Sequence, residues 1–112
     1  MNMKKILYFQ LVILLVKVLC EGNETLPFSS INMDKDDIYV SLDLKRLDWS
    51  KLLSINNIGS DAIVNFSKKH YGVLKCDYEV ECYKYNIIKN FNEVYQLFSG
   101  KKLGKTVSLE LE

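Results

Sequence analysis

One histidine, one proline and three cysteines in 112 residues leave little from which to build a catalytic or metal site. With His70 alone, a two-histidine metal site is impossible, and a Cys-His pair would need Cys76 or Cys82 brought beside it. Near the end of a helix, His70 has a simpler role as a cation favourable to the dipole. Carboxylates are paired at Asp36-Asp37 and at Glu79 and Glu81, but both pairs fall on expected solvent faces with no apolar pocket to raise a pKa. Nucleophile, base and orienting group do not assemble, so the chain reads as non-enzymatic, without metal or cofactor. Basic stripes are absent too: Lys68-Lys69 and Lys101-Lys102 are isolated pairs, and nucleic acid is not an expected partner.

What is present begins with Lys4 and Lys5, an apolar run from Ile6 to Val16, and Val18 and Cys20 at the minus-three and minus-one places of a cleavage site. This is the layout of a secretory signal peptide over residues 1–20. Gln10 and Lys17 interrupt the run, which falls short of the roughly 20 residues that span a bilayer. Lipidation at Cys20 would want a small residue where Leu19 stands. Cleavage after Cys20 leaves 92 residues, enough for one small domain, with no membrane segment. Removal of Lys4, Lys5 and Lys17 leaves 12 basic against 14 acidic residues, a net charge of −2. A secreted, extracellular glycoprotein is the expectation, with N-glycosylation patterns at Asn23 and Asn65.

Residues 21–36 contain the only proline, Pro27, show no sustained period and read as an irregular leader to a domain over 37–112. Ile38, Val40, Leu42 and Leu44 alternate with polar neighbours, which predicts a strand. Arg46 to Ser50 is open between a short helix through Leu53, slightly favoured by propensity, and a hairpin connection to a strand over Leu52–Ile58. Ser60 as N-cap and Gly72 as stop bracket a helix over Asp61–Tyr71. Leu74, Cys76, Tyr78, Val80 and Cys82 alternate with Lys75, Asp77, Glu79, Glu81 and Tyr83, which predicts another strand. Apolar residues at 87/88, 91, 94/95 and 98 mark a helix ending at Gly100, with Val94, Leu97 and Phe98 assigned to the core against a strand over Val107–Leu111.

In this order the pieces resemble a PDZ domain of the kind appended to secreted and periplasmic proteases, over roughly Asp37 to Leu111 and most specifically over 86–111. Tyr39-Val40-Ser41-Leu42 resembles the carboxylate-binding loop. Leu53 to Ala62 resembles the strand and turn before the family's first helix, and Gly72, Leu74, Lys75 and Asp77 resemble its Ala-Gly-Leu-Lys-x-Gly-Asp step. Ile88 to Val94, Gly104 and the Val107, Leu109, Leu111 alternation resemble the second helix and last strand. Ser41 departs from the pattern, which has glycine there. The resemblance implies an α+β fold, a small, partly open barrel or sandwich with two helices. It also implies a mechanism: an extended peptide or protein C-terminal tail adds as a strand beside residues 38–44. Tyr39, Val40, Ser41 and Leu42 would hold its carboxylate, and Phe91 and Tyr95 would line the groove.

The alternative is a small secreted inhibitor or effector of unrelated α/β fold that presents a loop to its target. For Cys76 and Cys82, an even count in a secreted chain suggests a disulfide. Six residues of extended strand span about 20 Å, however, and bridged α-carbons lie at most about 7 Å apart. The strand reading therefore leaves Cys82 buried and Cys76 free to pair between chains in a disulfide-linked dimer.

Overall fold

Two-residue periodicity builds the sheet. The computed structural model describes residues 14–19, 26–42, 48–104 and 106–112. Its strands are β1 (Leu14–Leu19), β2 (Ser30–Asp34), β3 (Asp37–Ser41), β4 (Ser50–Ile55), the two-residue β5 (Ile58–Gly59) and β6 (Thr106–Leu111). They form one antiparallel sheet in the order β1-β6-β4-β3-β2, with β5 paired to β4 beside it. Three helices follow β5: α1 (Ser60–Tyr71), α2 (Cys82–Lys89) and α3 (Phe91–Ser99).

Each turn has a local cause. The β4–β5 hairpin closes through Asn56 and Asn57, both left-handed at φ 50° and 68°, and asparagine is the best non-glycine residue for that conformation. Helix α1 ends at Gly72, φ 93° and ψ 166°, a region essentially restricted to glycine. Gly100 caps α3 in the left-handed conformation the sequence predicts. Between α2 and α3, Asn90 leaves the helical region at φ −131°, ψ 43°, and one apolar stripe becomes two short helices.

One face of the sheet carries Ile38 and Val40 of β3, Leu52 and Ile55 of β4, and Val107, Leu109 and Leu111 of β6, all buried. Ile63 and Val64 of α1, Tyr83 and Ile87 of α2, and Phe91, Val94 and Tyr95 of α3 close over it. Each fully buried aliphatic or aromatic side chain contributes about 1.5–3 kcal/mol relative to exposure.

The α+β class, the helix over 61–71 and the last strand stand as expected. Several expectations do not. The sheet is open and, among the described residues, carries three helices instead of two. The irregular leader over 21–36 contains β2, which pairs along its whole length from Ser30↔Ser41 to Asp34↔Asp37. Ile31 and Met33 face the same side as Ile38 and Val40, an alternation too short to stand out in the sequence. At the open segment the strand wins over the helix: Ser50–Ile55 is β4, because cross-strand pairing on both edges outweighs a slight helix propensity.

Residues 74–82 form no strand, as the disulfide described below explains. Leu97 is 46% exposed and does not belong to the core. Helix α3 starts afresh at Phe91, so its inward stripe runs through Phe91, Val94, Tyr95 and Phe98, and its backbone neighbours are α1 and α2 instead of β6. Of residues 1–20, expected to be a signal peptide, only Leu14–Leu19 are among the described residues; they form β1, which lies along β6 from Leu14↔Leu111 to Leu19↔Thr106.

Candidate functional site

Between Gly72 and Cys82 the chain leaves the surface of α1, reverses and returns to start α2. The reversal is closed by a Cys76–Cys82 disulfide with α-carbons 4.7 Å apart. This corrects the expectation of an extended strand and of a Cys76 free to link two chains. Within the turn, Asp77 Oδ1 accepts the Tyr78 N–H at 2.7 Å. Val80 carbonyl accepts the N–H groups of Cys76 and Asp77 at 3.0 and 3.4 Å, and among the described residues of this loop no φ is positive beyond Gly72. Glycine is therefore not required.

Hydrogen bonds hold the base of the loop. Cys82 N–H donates to Leu74 carbonyl at 2.8 Å and Tyr83 N–H to Gly72 carbonyl at 3.1 Å, and the backbones of Lys75 and Glu81 pair as an isolated antiparallel β-bridge. Tyr83 is the anchor beneath. Its carbonyl accepts Ser67 Oγ–H at 3.0 Å, and its own Oη–H donates to Asp36 Oδ1 at 2.6 Å. Asp36 Oδ2 also receives Lys68 Nζ at 2.7 Å, which joins the β2–β3 turn to α1 and α2.

The Lys68 ammonium and then the Tyr83 hydroxyl, both donating to the Asp36 carboxylate, hold it below its ordinary pKa. Burial and that same carboxylate push the Tyr83 hydroxyl well up. Because the folded Asp36 value lies below the unfolded value of about 3.9, its stabilisation is whole above about pH 4 and is lost as pH falls through the folded value. Urea denaturation of Asp36→Asn should show a shallower loss of stability with acid than the parent; identical slopes would remove Asp36 from the network.

What the loop displays is apolar. Val73 is 59% exposed, Leu74 81% and Tyr78 92%. Isolated apolar residues are ordinary on surfaces; here Tyr78 stands inside the cross-linked turn, and Val73 and Leu74 stand on the segment that leads into it. Tyrosine is among the residues that dominate interface energetics, and a cross-linked loop loses little entropy on binding. The sequence reading placed Leu74 and Tyr78 on the inward face of a strand. Cysteine parity was the signal that could have found the loop.

The residues expected to capture a peptide are placed differently. Both edges of β3 are occupied: every residue of Asp37–Ser41 pairs with β2, and Tyr39 and Val40 also pair with Lys51 and Ser50 of β4. No free strand edge exists there for a peptide to join. Val40 and Ser41 are buried, Tyr39 is half-buried and Leu42 is exposed, while Ser41 and Leu42 carbonyls accept bonds from Ser29 N–H and Oγ–H at 2.8 and 3.2 Å.

Phe91 is core, packed edge-on to Phe28 at 5.5 Å. Tyr95 is core as well, its Oη accepting Asn56 Nδ2–H at 3.1 Å. Only the rim of Tyr95 reaches a surface cleft of about 520 Å³ shared with Asn56, Ile58, Phe98, Lys101 and Lys102. Helix α3 does not run beside β3, so the two halves of the expected groove do not meet.

Asn65 is exposed on α1, whereas Ser67 of its glycosylation pattern is buried; Asn23 lies outside the described residues. His70 is exposed in the last turn of α1 and stacks on Phe66 at 5.3 Å. Among the described residues no group of three or more His, Cys, Asp or Glu side chains is placed to hold a metal ion, and no helix is long and apolar enough to cross a membrane.

No protein-family model, no curated protein and no solved structure matches the chain. Its fold and site define it as an α+β domain: an open antiparallel sheet, three helices over one face, and a disulfide-closed loop carrying exposed apolar side chains.

Proposed function

We propose that this chain is a secreted, non-enzymatic protein-binding module that presents the Val73–Glu81 loop to a protein partner. The observation that carries the reading is the exposure of Tyr78 inside the turn closed by Cys76–Cys82 and of Val73 and Leu74 just before it. An intrachain disulfide is compatible with an extracellular setting. Burying three such side chains against a partner would recover apolar free energy that the monomer forgoes, and the cross-link and the Tyr83 anchor keep the loop shaped before contact. The inhibitor or effector reading and the peptide-binding reading differ here in which surface makes the contact. Occupied β3 edges favour the loop.

A photo-crosslinking amino acid at position 78, compared with the same group at the exposed position 65 on α1, tests the assignment on intact cells and extracellular fluid. A discrete adduct from position 78 alone, abolished by Leu74→Ser with melting unchanged, is the expected result. Adducts that form equally from both positions would overturn it.

A further inference from the structure

We propose that β6 is a strand-addition edge whose occupant, after the leader is removed, is the β6 strand of a second copy of this chain, joining two sheets into one. The proposal rests on the secretory reading of residues 1–20 and on no part of the loop assignment. In the full chain β1 lies along β6 over six consecutive register positions, from Leu14↔Leu111 to Leu19↔Thr106. The other side of β6 belongs to β4. Asn56 N–H donates to Ser108 carbonyl at 2.8 Å, and Lys51 and Glu112 exchange backbone bonds at 3.3 and 2.9 Å. Ser108 and Glu112 thus face β4, and by antiparallel alternation the N–H and C=O groups of Val107, Leu109 and Leu111 face β1.

Cleavage after Cys20 would remove β1 entire. It would leave those backbone groups in a row without their strand partner and uncover one flank of Val107, Leu109 and Leu111, which are buried while β1 is in place. Such an edge is a template for another strand unless proline, lysine, a bulge or a covering element blunts it. Strand β6 carries neither proline nor lysine, and its one charge, Glu110, accepts a bond from Ser54 Oγ–H at 3.0 Å. The opposite edge of the sheet is guarded. There β2 ends at Asp34 beside Lys35 and Asp36, and α2 lies against it.

A second β6 is the occupant its own sequence fits. Val107, Leu109 and Leu111 alternate with Thr106, Ser108 and Glu110. Two copies crossing antiparallel about Leu109 pair Leu109 with Leu109 and Val107 with Leu111, while crossing about Ser108 pairs Val107 with Leu109 and leaves Leu111 opposite Lys105; in either register Glu110 meets Ser108 or Thr106 instead of another carboxylate. Symmetric pairing of this kind closes as a dimer and leaves no further edge of β6 to propagate.

The test is secretion of the full chain, intact mass of the product, and sedimentation equilibrium across a concentration series. The expected product begins at Glu21, is dimeric, and becomes monomeric when a lysine-flanked peptide of Leu14–Leu19 is added to cap the edge. Thr106→Lys, Ser108→Lys and Glu110→Lys combined place like charges across the pair in either register and should give a monomer with unchanged near-ultraviolet circular dichroism. If that variant does not fold, the peptide titration of the parent decides. A secreted product that keeps residues 14–19 overturns the proposal, as does a dimer insensitive to the peptide or to the folded lysine variant. A cleaved monomer that binds the peptide would overturn the second copy as occupant, and a cleaved monomer that ignores it would overturn the edge itself.

Discussion

Phe91→Ala should lower the free energy of unfolding by about 3–5 kcal/mol, the usual cost of removing a large buried aromatic, and so take most of the stability of a domain this size. Phe91 is 1% exposed, opens α3 and sets its ring edge against Phe28 at 5.5 Å, which ties the helix layer to the segment entering β2. Alanine there leaves a cavity that three converging elements cannot close without moving together. Leu97→Ala, six residues along the same helix on its outer side, should change stability by no more than about 0.5 kcal/mol. Chemical denaturation of the two variants checks the inward face of α3, since equal losses would mean the helix is rotated from the orientation described. Phe98, only partly buried and tilted on Phe66 at 5.2 Å, should fall between them.

Replacing Cys76 and Cys82 together by serine should cost about 2 kcal/mol, the loop-closure entropy of a cross-link spanning six residues. The larger consequence is local. Without the bond, Val73–Glu81 keeps only its backbone bonds at the base, and limited proteolysis should cut near Tyr78 much faster than in the parent while α1 and the sheet stay intact. Non-reducing peptide mapping of the parent should recover Cys76 and Cys82 in one linked fragment. Free thiols at both positions would remove the closed loop and the function proposed for it.

What could be read along the chain was whatever a single element decides by itself. Alternation at Ile38, Val40, Val107, Leu109 and Leu111, the Gly72 stop of α1 and the left-handed cap at Gly100 all depend on neighbours within a few residues, so the sequence determined them unaided. The expected Ser60 N-cap does not hold, since Gly59 is the cap residue and Ser60 opens the helix without a side-chain cap bond. The expected peptide groove needed two distant elements side by side, β3 and α3, and no local pattern says which strands flank β3. Strand β2 answers that: five short residues that read as leader occupy the edge a peptide would have used.

The loop was misread for a related reason. Alternation over Leu74–Cys82 describes a strand only if another strand pairs with it. The chain puts a covalent bond there instead, the N–H groups of Cys76 and Asp77 turn back onto the Val80 carbonyl, and Leu74 and Tyr78 are exposed. Periodicity records which residues could share a face. Whether that face lies against a core depends on partners far away in sequence, and only the tertiary arrangement decides it: here Val73, Leu74 and Tyr78 stay exposed.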